Sequence, residues 1–370
     1  MTTSSTQRLA PWLQTQLESL LTQRGHAWLL SGPSGLGQFE LALALARAWL
    51  CEKPTAQGAC GQCGSCHAVD VHTHADLCML MPETLSLTLG WPLDEKTQDD
   101  LDNKKRKPSK EIKVDAAREA VSFTQFTRSR GTTKVVLVFP AERMNNITAN
   151  TLLKTLEEPP GAVKFVLATE SAHQLLPTIR SRCLGHTMLW PEFEPALGWL
   201  QQEACRPGDD GGNAKKAARP PDAADLQTLL VAAGGRPADA LAWAQNSPPS
   251  DAAQHWHALP KAMARGDVSA LANWAPALAV DALQKLCHDV LAVRVGASPR
   301  FFSATDLPFP APAGAGKPGG ASHAPQPGFY ALASWSKELT TIARTVEHPY
   351  NAGLLLETLV SRAQLALSAK

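Results

Sequence analysis

The chain lacks any apolar run long enough to cross a membrane, and it has almost no net charge, since 35 Lys and Arg residues are balanced by 34 Asp and Glu residues. The first absence excludes a membrane-spanning helix. The second argues against strong nucleic-acid binding by the isolated chain. A secretion signal has a basic start followed by an apolar core. The N-terminus lacks this pattern, so we do not expect it to be a secretion signal. We therefore expect a cytoplasmic protein, whose eight cysteines are metal ligands or core residues rather than disulfides.

With 370 residues, the chain has room for two or three domains. Its first half alternates between short apolar runs, typical of strands buried on both faces of a parallel sheet, and amphipathic helices. The spacing of Leu41, Leu45 and Trp49 predicts a helix over 39–50. Asn145 or Asn146 can cap a second helix, which the prolines at 159–160 end. Five strands are expected, at 27–31, 76–81, 134–139, 163–169 and 186–189. This alternation predicts a doubly wound, parallel, five-stranded α/β sheet.

After Trp190 the sequence becomes rich in Ala and Leu and helical in pattern, so helical domains are expected to follow the α/β domain. The helices are predicted at 226–233, 237–245, 280–295, 330–346 and 353–367. Two segments rich in Pro and Gly, 205–222 and 303–328, are expected to be flexible inserts. A third segment, 94–113, mixes six acidic with seven basic residues. It favours a solvated insertion over a DNA-binding patch.

Residues 32–39, with the sequence GPSGLGQF, lie between a predicted strand and a predicted helix. This is where a phosphate-binding loop belongs, and Gly32, Gly35 and Gly37 suit such a loop. A working loop continues with Lys for the phosphates and Ser or Thr for Mg²⁺. Here these positions hold Gln38 and Phe39, which offer neither a positive charge nor a metal oxygen. We expect a degenerate loop, retained for its turn and without nucleotide as a cofactor.

A second element of a nucleotide site is expected after the strand at 134–138. ATPases with such a loop place Asp-Glu there, the Asp for Mg²⁺ and the Glu to orient the attacking water. This chain has Phe139 and Pro140 instead. Glu142 follows two residues later and is expected to project elsewhere. Two independent losses at one site predict that the chain does not hydrolyse ATP.

Four cysteines, Cys51, Cys60, Cys63 and Cys66, have the spacing C-x8-C-x2-C-x2-C. Paired C-x2-C steps place thiolates on tight turns where they converge on a tetrahedral metal, and four sulfurs close its coordination. The pattern predicts a structural zinc site, while reduced cysteines or a redox pair are the alternatives. His67 could replace one ligand, but His72 and His74 are expected to be ordinary polar residues. The isolated cysteines at 78, 183, 205 and 287 are given no metal role.

The most informative stretch is 134–183, which contains LLKTLEEPP, KFVLAT and, at its end, Ser181-Arg182-Cys183. Together with the degenerate loop and the four-cysteine insert, these motifs resemble the delta prime family of DNA polymerase III, the stators of bacterial clamp loaders. The resemblance covers roughly residues 25–190 and thins to a helical pattern afterwards. The gamma/tau relatives share LLKTLEEPP and SRC but carry the Lys-Thr and Asp-Glu that this chain lacks.

The resemblance implies an AAA+-type domain over 1–190 with the zinc insert at 51–66, a helical lid over 191–248 and a helical collar over 249–370. It implies a subunit without a catalytic site of its own, within the DNA polymerase holoenzyme, that works with the gamma/tau and delta subunits. The sliding clamp and primed DNA would be reached through that complex. Arg182 would be an arginine finger for the neighbour's ATP, while Ser181 and Cys183 shape its turn. Thr169 and Gly235-Arg236-Pro237 occupy sensor positions, of doubtful use without a nucleotide in cis.

Arg182 also has a purely structural interpretation, in which it caps a helix end or pairs with an acid. Two other functions stay open at this point. An active clamp-loader ATPase of gamma/tau type, or a P-loop kinase, predicts ATP turnover by the purified chain. A free-standing zinc-ribbon nucleic-acid binder predicts a basic surface and salt-dependent DNA binding, and the neutral composition argues against it.

Overall fold

The computed structural model describes residues 9–205, 221–308, 327–346 and 351–368. The chain divides into two compact units, Met1–Pro195 and Ala196–Lys370. The two inserts expected at 205–222 and 303–328 fall mostly outside the described residues. The further division of the second unit into a lid and a collar stays a prediction. Within the described residues, no helix combines the length and the apolar character that crossing a membrane requires.

The first unit alternates strands with helices, and its elements run as follows in chain order: α1 (Pro11–Thr22), β1 (Ala27–Ser31), α2 (Gln38–Leu50), α3 (Gly64–Asp70), β2 (Leu77–Leu80), α4 (Glu83–Leu89), α5 (Glu95–Asp102), α6 (Val114–Gln125), β3 (Lys134–Val138), α7 (Asn146–Glu157), β4 (Val163–Thr169), α8 (Pro177–Arg180) and β5 (Leu184–Thr187). The side chain of Asn145 caps α7 by accepting the N–H of Thr148 at 2.9 Å, as the sequence predicts.

The five strands form one parallel sheet in the order β2-β3-β4-β1-β5. The central strands are apolar along their length because helices cover both faces; β3, for example, is buried at every residue. The sheet and its flanking helices confirm the predicted α/β fold. Parallel strands start and end at common edges, so the loops after β1, β3 and β4 meet at the carboxyl edge of the sheet.

The last strand differs from the prediction, which placed it at 186–189. It spans Leu184–Thr187 and pairs with Trp28–Ser31. Met188 and Leu189 follow this ladder, and Leu189 is 58% exposed. Because β5 is an edge strand with mostly exposed residues, it has no apolar pattern that could fix its position.

Residues 94–113 are only partly the solvated segment that their composition suggests. Helix α5 has no buried residue, but the positive charges beside it are engaged. Arg106 and Lys113 both pair with the Glu83 carboxylate, at 2.5 and 2.6 Å, and the N–H of Ser109 donates to the same group. Burial opposes ionisation of Glu83, but these partners outweigh it and lower its pKa to about 2. The segment is therefore tied to α4 by one carboxylate.

The second unit is helical, as expected. Its elements are α9 (Phe193–Ala204), which begins just before the unit boundary, α10 (Ala223–Ala232), α11 (Pro237–Asn246), α12 (Pro249–Arg265), α13 (Pro276–Arg294), α14 (Pro327–Thr345) and α15 (Ala352–Ser368). One hydrophobic cluster joins α9, α10 and α11, and a larger one is built mainly by α12 to α15. Fully buried Asp289 holds the loop after α13 by accepting the N–H groups of Arg300, Phe301 and Phe302.

Candidate functional site

The glycine loop lies between β1 and α2, at the carboxyl edge of the sheet. Its backbone requires glycine at position 37, where φ is +94° and an added Cβ would lie 2.6 Å from Leu13 of α1. The indole N–H of Trp12 donates to the Leu36 carbonyl at 3.2 Å. Helix α1 thus packs against Leu36 and Gly37, at the end of a loop that has the turn of a phosphate-binding loop.

Gln38 stands where a phosphate-binding loop carries its lysine. Its side chain is 3% exposed, and its amide N–H groups donate to the carbonyls of Gly32 at 2.6 Å and of Pro33 at 2.7 Å. Both N–H donors of the amide are therefore used in hydrogen bonds to the loop itself. The side chain closes the loop from inside and offers no donor to an outside phosphate.

Phe39 and Phe139 occupy the two positions that would hold Mg²⁺, the hydroxyl after the loop and the aspartate after β3. Their rings lie 5.2 Å apart with an interplanar angle of 35°. This distance is within the range of attractive aromatic pairs. Two groups that would share a metal ion are thus replaced by two groups that contact each other.

The structure corrects the expectation that Glu142 projects away from this edge. Its carboxylate accepts the hydroxyl of Thr169 at 2.6 Å and the N–H of Glu170 at 3.0 Å, at the end of β4. A three-residue 3-10 turn, Ala141–Arg143, follows β3 and aims the side chain back at the neighbouring strand. The prediction assumed that the chain stays extended after β3, so it did not include this turn. The Thr169 hydroxyl, at the expected sensor position, therefore donates a hydrogen bond to Glu142.

The Ser181-Arg182-Cys183 turn follows the short helix α8. Arg182 donates from Nε to Glu157 Oε1 at 2.6 Å, from Nη2 to the same oxygen, and from Nη1 to the Thr178 carbonyl at 2.8 Å. Ser181 caps the C-terminal end of α8: its backbone N–H donates to the Pro177 carbonyl at 3.0 Å, and its hydroxyl donates to the Thr178 carbonyl at 3.2 Å. Cys183 packs against the core of the sheet, and burial raises its pKa to about 12.

Both parts of the structural interpretation of Arg182 are therefore present, a helix-end contact and an acidic partner. Residue spacing could not identify that partner, because Glu157 lies 25 positions earlier. The signal available was the pair of glutamates in LLKTLEEPP.

The second expected sensor element, Arg236 of Gly235-Arg236-Pro237, lies in the second unit. Its guanidinium donates to the Ala233 carbonyl at 2.8 Å and pairs with Asp239 at 3.0 Å and with Asp281 at 3.5 Å. Lys285 shares Asp281 at 2.5 Å and also donates to the Ala232 carbonyl. This arginine therefore belongs to a network of charges inside the helical unit.

The four predicted metal ligands come together. The Sγ atoms of Cys51, Cys60, Cys63 and Cys66 all lie within 4.8 Å of one another, with 3.8 Å between Cys51 and Cys63 and 4.0 Å between Cys60 and Cys66. Zinc–sulfur bonds of about 2.3 Å in a tetrahedron place sulfurs roughly 3.8 Å apart. The cluster therefore has the composition and dimensions of a four-thiolate metal site.

The surrounding backbone also suits thiolates. N–H groups of Lys53 and Cys60 point at the Cys51 sulfur, at 3.4 and 3.2 Å, and that of Cys66 points at the Cys63 sulfur at 3.4 Å. Such donors stabilise negative sulfur and orient metal ligands. Burial opposes ionisation of Cys63, yet the donors lower its pKa to about 6, whereas burial and its neighbours raise the pKa of Cys66 to about 12.

The remaining sulfur and imidazole groups lie outside this cluster. Among the described residues, the cluster includes no histidine, so His67 is not a member. His72 stacks on Trp91 with centroids 3.9 Å apart, and His74 accepts the N–H of Asp76. Burial raises the pKa of Cys78 and of Cys287 to about 12, as expected for inert core thiols. Cys205 is exposed.

Comparison with known sequences identifies related proteins. A family model described as "DNA polymerase III, delta subunit" matches residues 7–188. The DNA polymerase III subunit delta' of Escherichia coli K12 is 32% identical over 299 residues, which cover 75% of this chain and 77% of that protein. The protein of the same name from Pseudomonas aeruginosa is 36% identical over 61% of this chain, a match that spans 58% of that relative's length.

More distant relatives carry other names. The DNA polymerase III subunit tau of Salmonella typhimurium is 31% identical over 216 residues, covering 58% of this chain and 28% of that protein. Among solved structures, a DNA polymerase III gamma subunit-related protein of Thermotoga maritima is 16% identical, with a TM-score of 0.44 over 96% of this chain and 99% of that chain.

Proposed function

This chain belongs to the DNA polymerase III subunit delta' family, and we propose that it is the non-catalytic delta prime subunit of a bacterial clamp loader. In this role it assists ATP hydrolysis by a neighbouring gamma- or tau-type subunit and hydrolyses none itself. Through the complex, it supports the loading of a sliding clamp onto primed DNA. A cytoplasmic location is part of the same proposal.

The observation that carries the proposal is the side-chain exchange at the carboxyl edge of the sheet. Hydrolysis needs a cation on the β- and γ-phosphates, a metal ion, and a carboxylate that orients water. Gln38 spends its donors on loop carbonyls, and Phe39 packs on Phe139 where the metal would be held. Each missing contact removes several kcal/mol of transition-state stabilisation, roughly. The alternative of an active clamp-loader ATPase of gamma/tau type is disfavoured for this reason.

Arg182 supplies the active part of the proposal. It follows α8 on a short turn and keeps its positive charge at any relevant pH. A guanidinium placed against the γ-phosphate of a neighbour's ATP neutralises charge that develops in the transition state. Ser181 and Cys183 fix the turn, the first as the cap of α8 and the second by packing on the core. In this role Arg182 touches another subunit's substrate and none of its own.

The cysteine cluster is proposed to hold one structural Zn²⁺. Four thiolates leave no open coordination position, so an ion there would stabilise the fold and take no part in chemistry. The cluster connects the end of α2 with α3, since Cys51 follows α2, and Cys63 and Cys66 lie at the start of α3. Zinc thus replaces the hydrophobic packing that so short a segment cannot supply.

Co-purification tests the proposed function. The tagged full-length chain is expressed together with gamma- or tau-type and delta subunits, and the mixture is separated by affinity and size. We expect one stable complex that loads clamps onto primed DNA with ATP. A chain that remains separate from these subunits, and that binds DNA by itself with a steep salt dependence, would instead support the zinc-ribbon alternative.

A further inference from the structure

Arg182 does not use all of its hydrogen-bond donors within the chain. A guanidinium carries five N–H groups in one plane. Nε and Nη2 donate to a single oxygen of Glu157, and Nη1 donates to the Thr178 carbonyl. Three donors are thus occupied, and the remaining two, one on Nη1 and one on Nη2, meet no partner within the described residues.

The arrangement of the occupied donors decides which two remain. Nε–H and the adjacent N–H of Nη2 lie along one side of the guanidinium plane, and Glu157 takes both. Nη1 bonds to a carbonyl four residues back along the chain. The two remaining N–H groups therefore belong to Nη1 and Nη2, the two nitrogens at the end of the guanidinium. Such a pair can bind two oxygens of a phosphate at once, which gives geometric specificity as well as attraction.

Glu157 is held firmly enough to act as a support. It is the last residue of α7, directly after fully buried Leu156 and shortly before two prolines. An acidic residue is electrostatically unfavourable at the C-terminal end of a helix, and its ion pair with Arg182 offsets this cost. Both side chains are partly exposed, Arg182 by 29% and Glu157 by 47%, so the guanidinium remains within reach of another molecule.

We propose that Glu157 is a positioning residue for Arg182: together with the Thr178 carbonyl it fixes the guanidinium plane, so that the remaining N–H groups of Nη1 and Nη2 face the γ-phosphate bound by a neighbouring subunit. The inference rests on the proposed arginine-finger role. A long side chain without such support would have to be ordered during the reaction, whereas a supported one is already oriented. The opposite role, in which Glu157 restrains Arg182, predicts a faster rate when Glu157 is replaced by alanine.

The chain provides a matched control at the next position. Glu158 carries the same charge, but its side chain makes no polar contact with the described part of the chain. Glu157→Ala and Glu158→Ala therefore remove the same charge at the same helix end, and only the first removes the support. Loaders are assembled with each variant, with Arg182→Ala, and with the double change Glu157→Ala/Arg182→Ala. Thermal unfolding and assembly are measured first, and both are expected to be unchanged.

The test is single-turnover ATP hydrolysis by these loaders on clamp and primed DNA. At the site abutting this subunit, we expect Glu157→Ala to lower the rate about tenfold, because a misplaced group loses much of its effect. Glu158→Ala should match the wild type. The loss should appear in the maximal single-turnover rate, with an unchanged ATP concentration for half-maximal rate, as for an interaction made only in the transition state. In the Arg182→Ala background, Glu157→Ala should add nothing.

The outcomes separate this inference from the proposed function. If Arg182→Ala slows hydrolysis but Glu157→Ala equals Glu158→Ala, the positioning role is overturned while the finger role stands. A faster rate for Glu157→Ala would overturn it as well, because Glu157 would then restrain the arginine. If Arg182→Ala has no effect, both proposals fail together.

Discussion

The glycine loop and the Ser181–Cys183 turn belong to the same domain, yet they treat their polar groups in opposite ways. At the loop, Gln38 bonds to carbonyls of the loop itself, and two phenyl rings contact each other in place of metal ligands. At the turn, Arg182 keeps its charge and two unpartnered donors within the described residues. The side chains at the positions that would contact the chain's own nucleotide bind to each other or to the loop. Arg182, which could contact a neighbour's nucleotide, still has donors that are not used within the described residues.

The comparison shows that the backbone conformation of the glycine loop does not depend on the side chains of a working nucleotide site. The loop retains its left-handed glycine at position 37 and its place between β1 and α2, because the sheet and α1 pack against that backbone. None of this packing needs the lysine, the hydroxyl or the carboxylates of a working site. Under the proposed function, this fold serves as a scaffold in which packing residues occupy the positions of catalytic side chains.

The change with the largest expected effect is Arg182→Ala in the assembled loader. An arginine finger is worth about a thousandfold at its own site, but the total rate should fall only partly, since sites between other subunits keep theirs. The chain should still fold and assemble, because no core packing is lost. Arg182→Lys should rescue poorly, since an ammonium lacks the planar fork. Wild-type ATPase and clamp loading by the Arg182→Ala loader would identify Arg182 as a structural residue.

A second change tests the proposed zinc site, whose four cysteine ligands are all present. Metal analysis of the purified chain should find about one zinc ion, held by a closed four-thiolate shell. Cys63→Ser should release it and increase hydrogen exchange around α3, without unfolding the sheet. Cys205→Ser is the control, since Cys205 lies outside the cluster, and it should keep the metal. A wild-type chain that is metal-free after purification without chelators would contradict the site.

A third change tests whether the charges at 83–113 serve structure alone, unlike Arg182. Glu83→Gln should lower the free energy of unfolding by about 2 kcal/mol at neutral pH, because Arg106 and Lys113 lose their shared partner. The folded-state pKa of Glu83 is lowered to about 2, so its stabilisation is present above the ordinary pKa of the carboxyl and is lost as the pH falls toward 2.

Denaturant titrations of the Glu83→Gln variant and the wild type, from pH 7 downward, measure this difference directly. The gap between the two proteins should narrow below about pH 4.5, the ordinary pKa of the group. Glu95→Gln, an exposed residue of α5, is the control and should change little. A gap that stays constant with pH would show that Glu83 does not titrate with folding.

The smallest expected effect belongs to Phe39→Ala at the glycine loop. Loss of the contact with Phe139 should cost about 1 kcal/mol in the free energy of unfolding, measured by denaturant titration. ATPase and clamp loading by the assembled complex should stay at the wild-type level, because the proposed function gives this edge no part in hydrolysis. Leu13→Ala is a useful companion, since it also weakens packing on the loop. A marked loss of loader ATPase with Phe39→Ala alone would indicate a catalytic role for the loop.

The sequence predicts features that rest on local patterns. Buried strands such as 163–169 have continuous apolar runs, and the cysteine spacing reports a local turn geometry, so the sheet and the cluster were both predictable. The edge strand β5 was misplaced because an exposed strand has no apolar pattern. Glu142 was misjudged because a 3-10 turn reverses its direction, and Glu157 could not be paired with Arg182 because their contact is made only in the folded chain.

The central claim is that this chain assists hydrolysis and performs none, and steady-state phosphate release by the purified chain tests it most directly. The assay contains ATP and Mg²⁺, with and without primed DNA, and the assembled loader is the positive control. We predict no release above background by the chain alone, because Gln38, Phe39, Phe139 and Pro140 supply neither the cation, the metal ligands nor the carboxylate that hydrolysis needs. Turnover by the purified chain that disappears when residues 32–38 are altered would contradict the account.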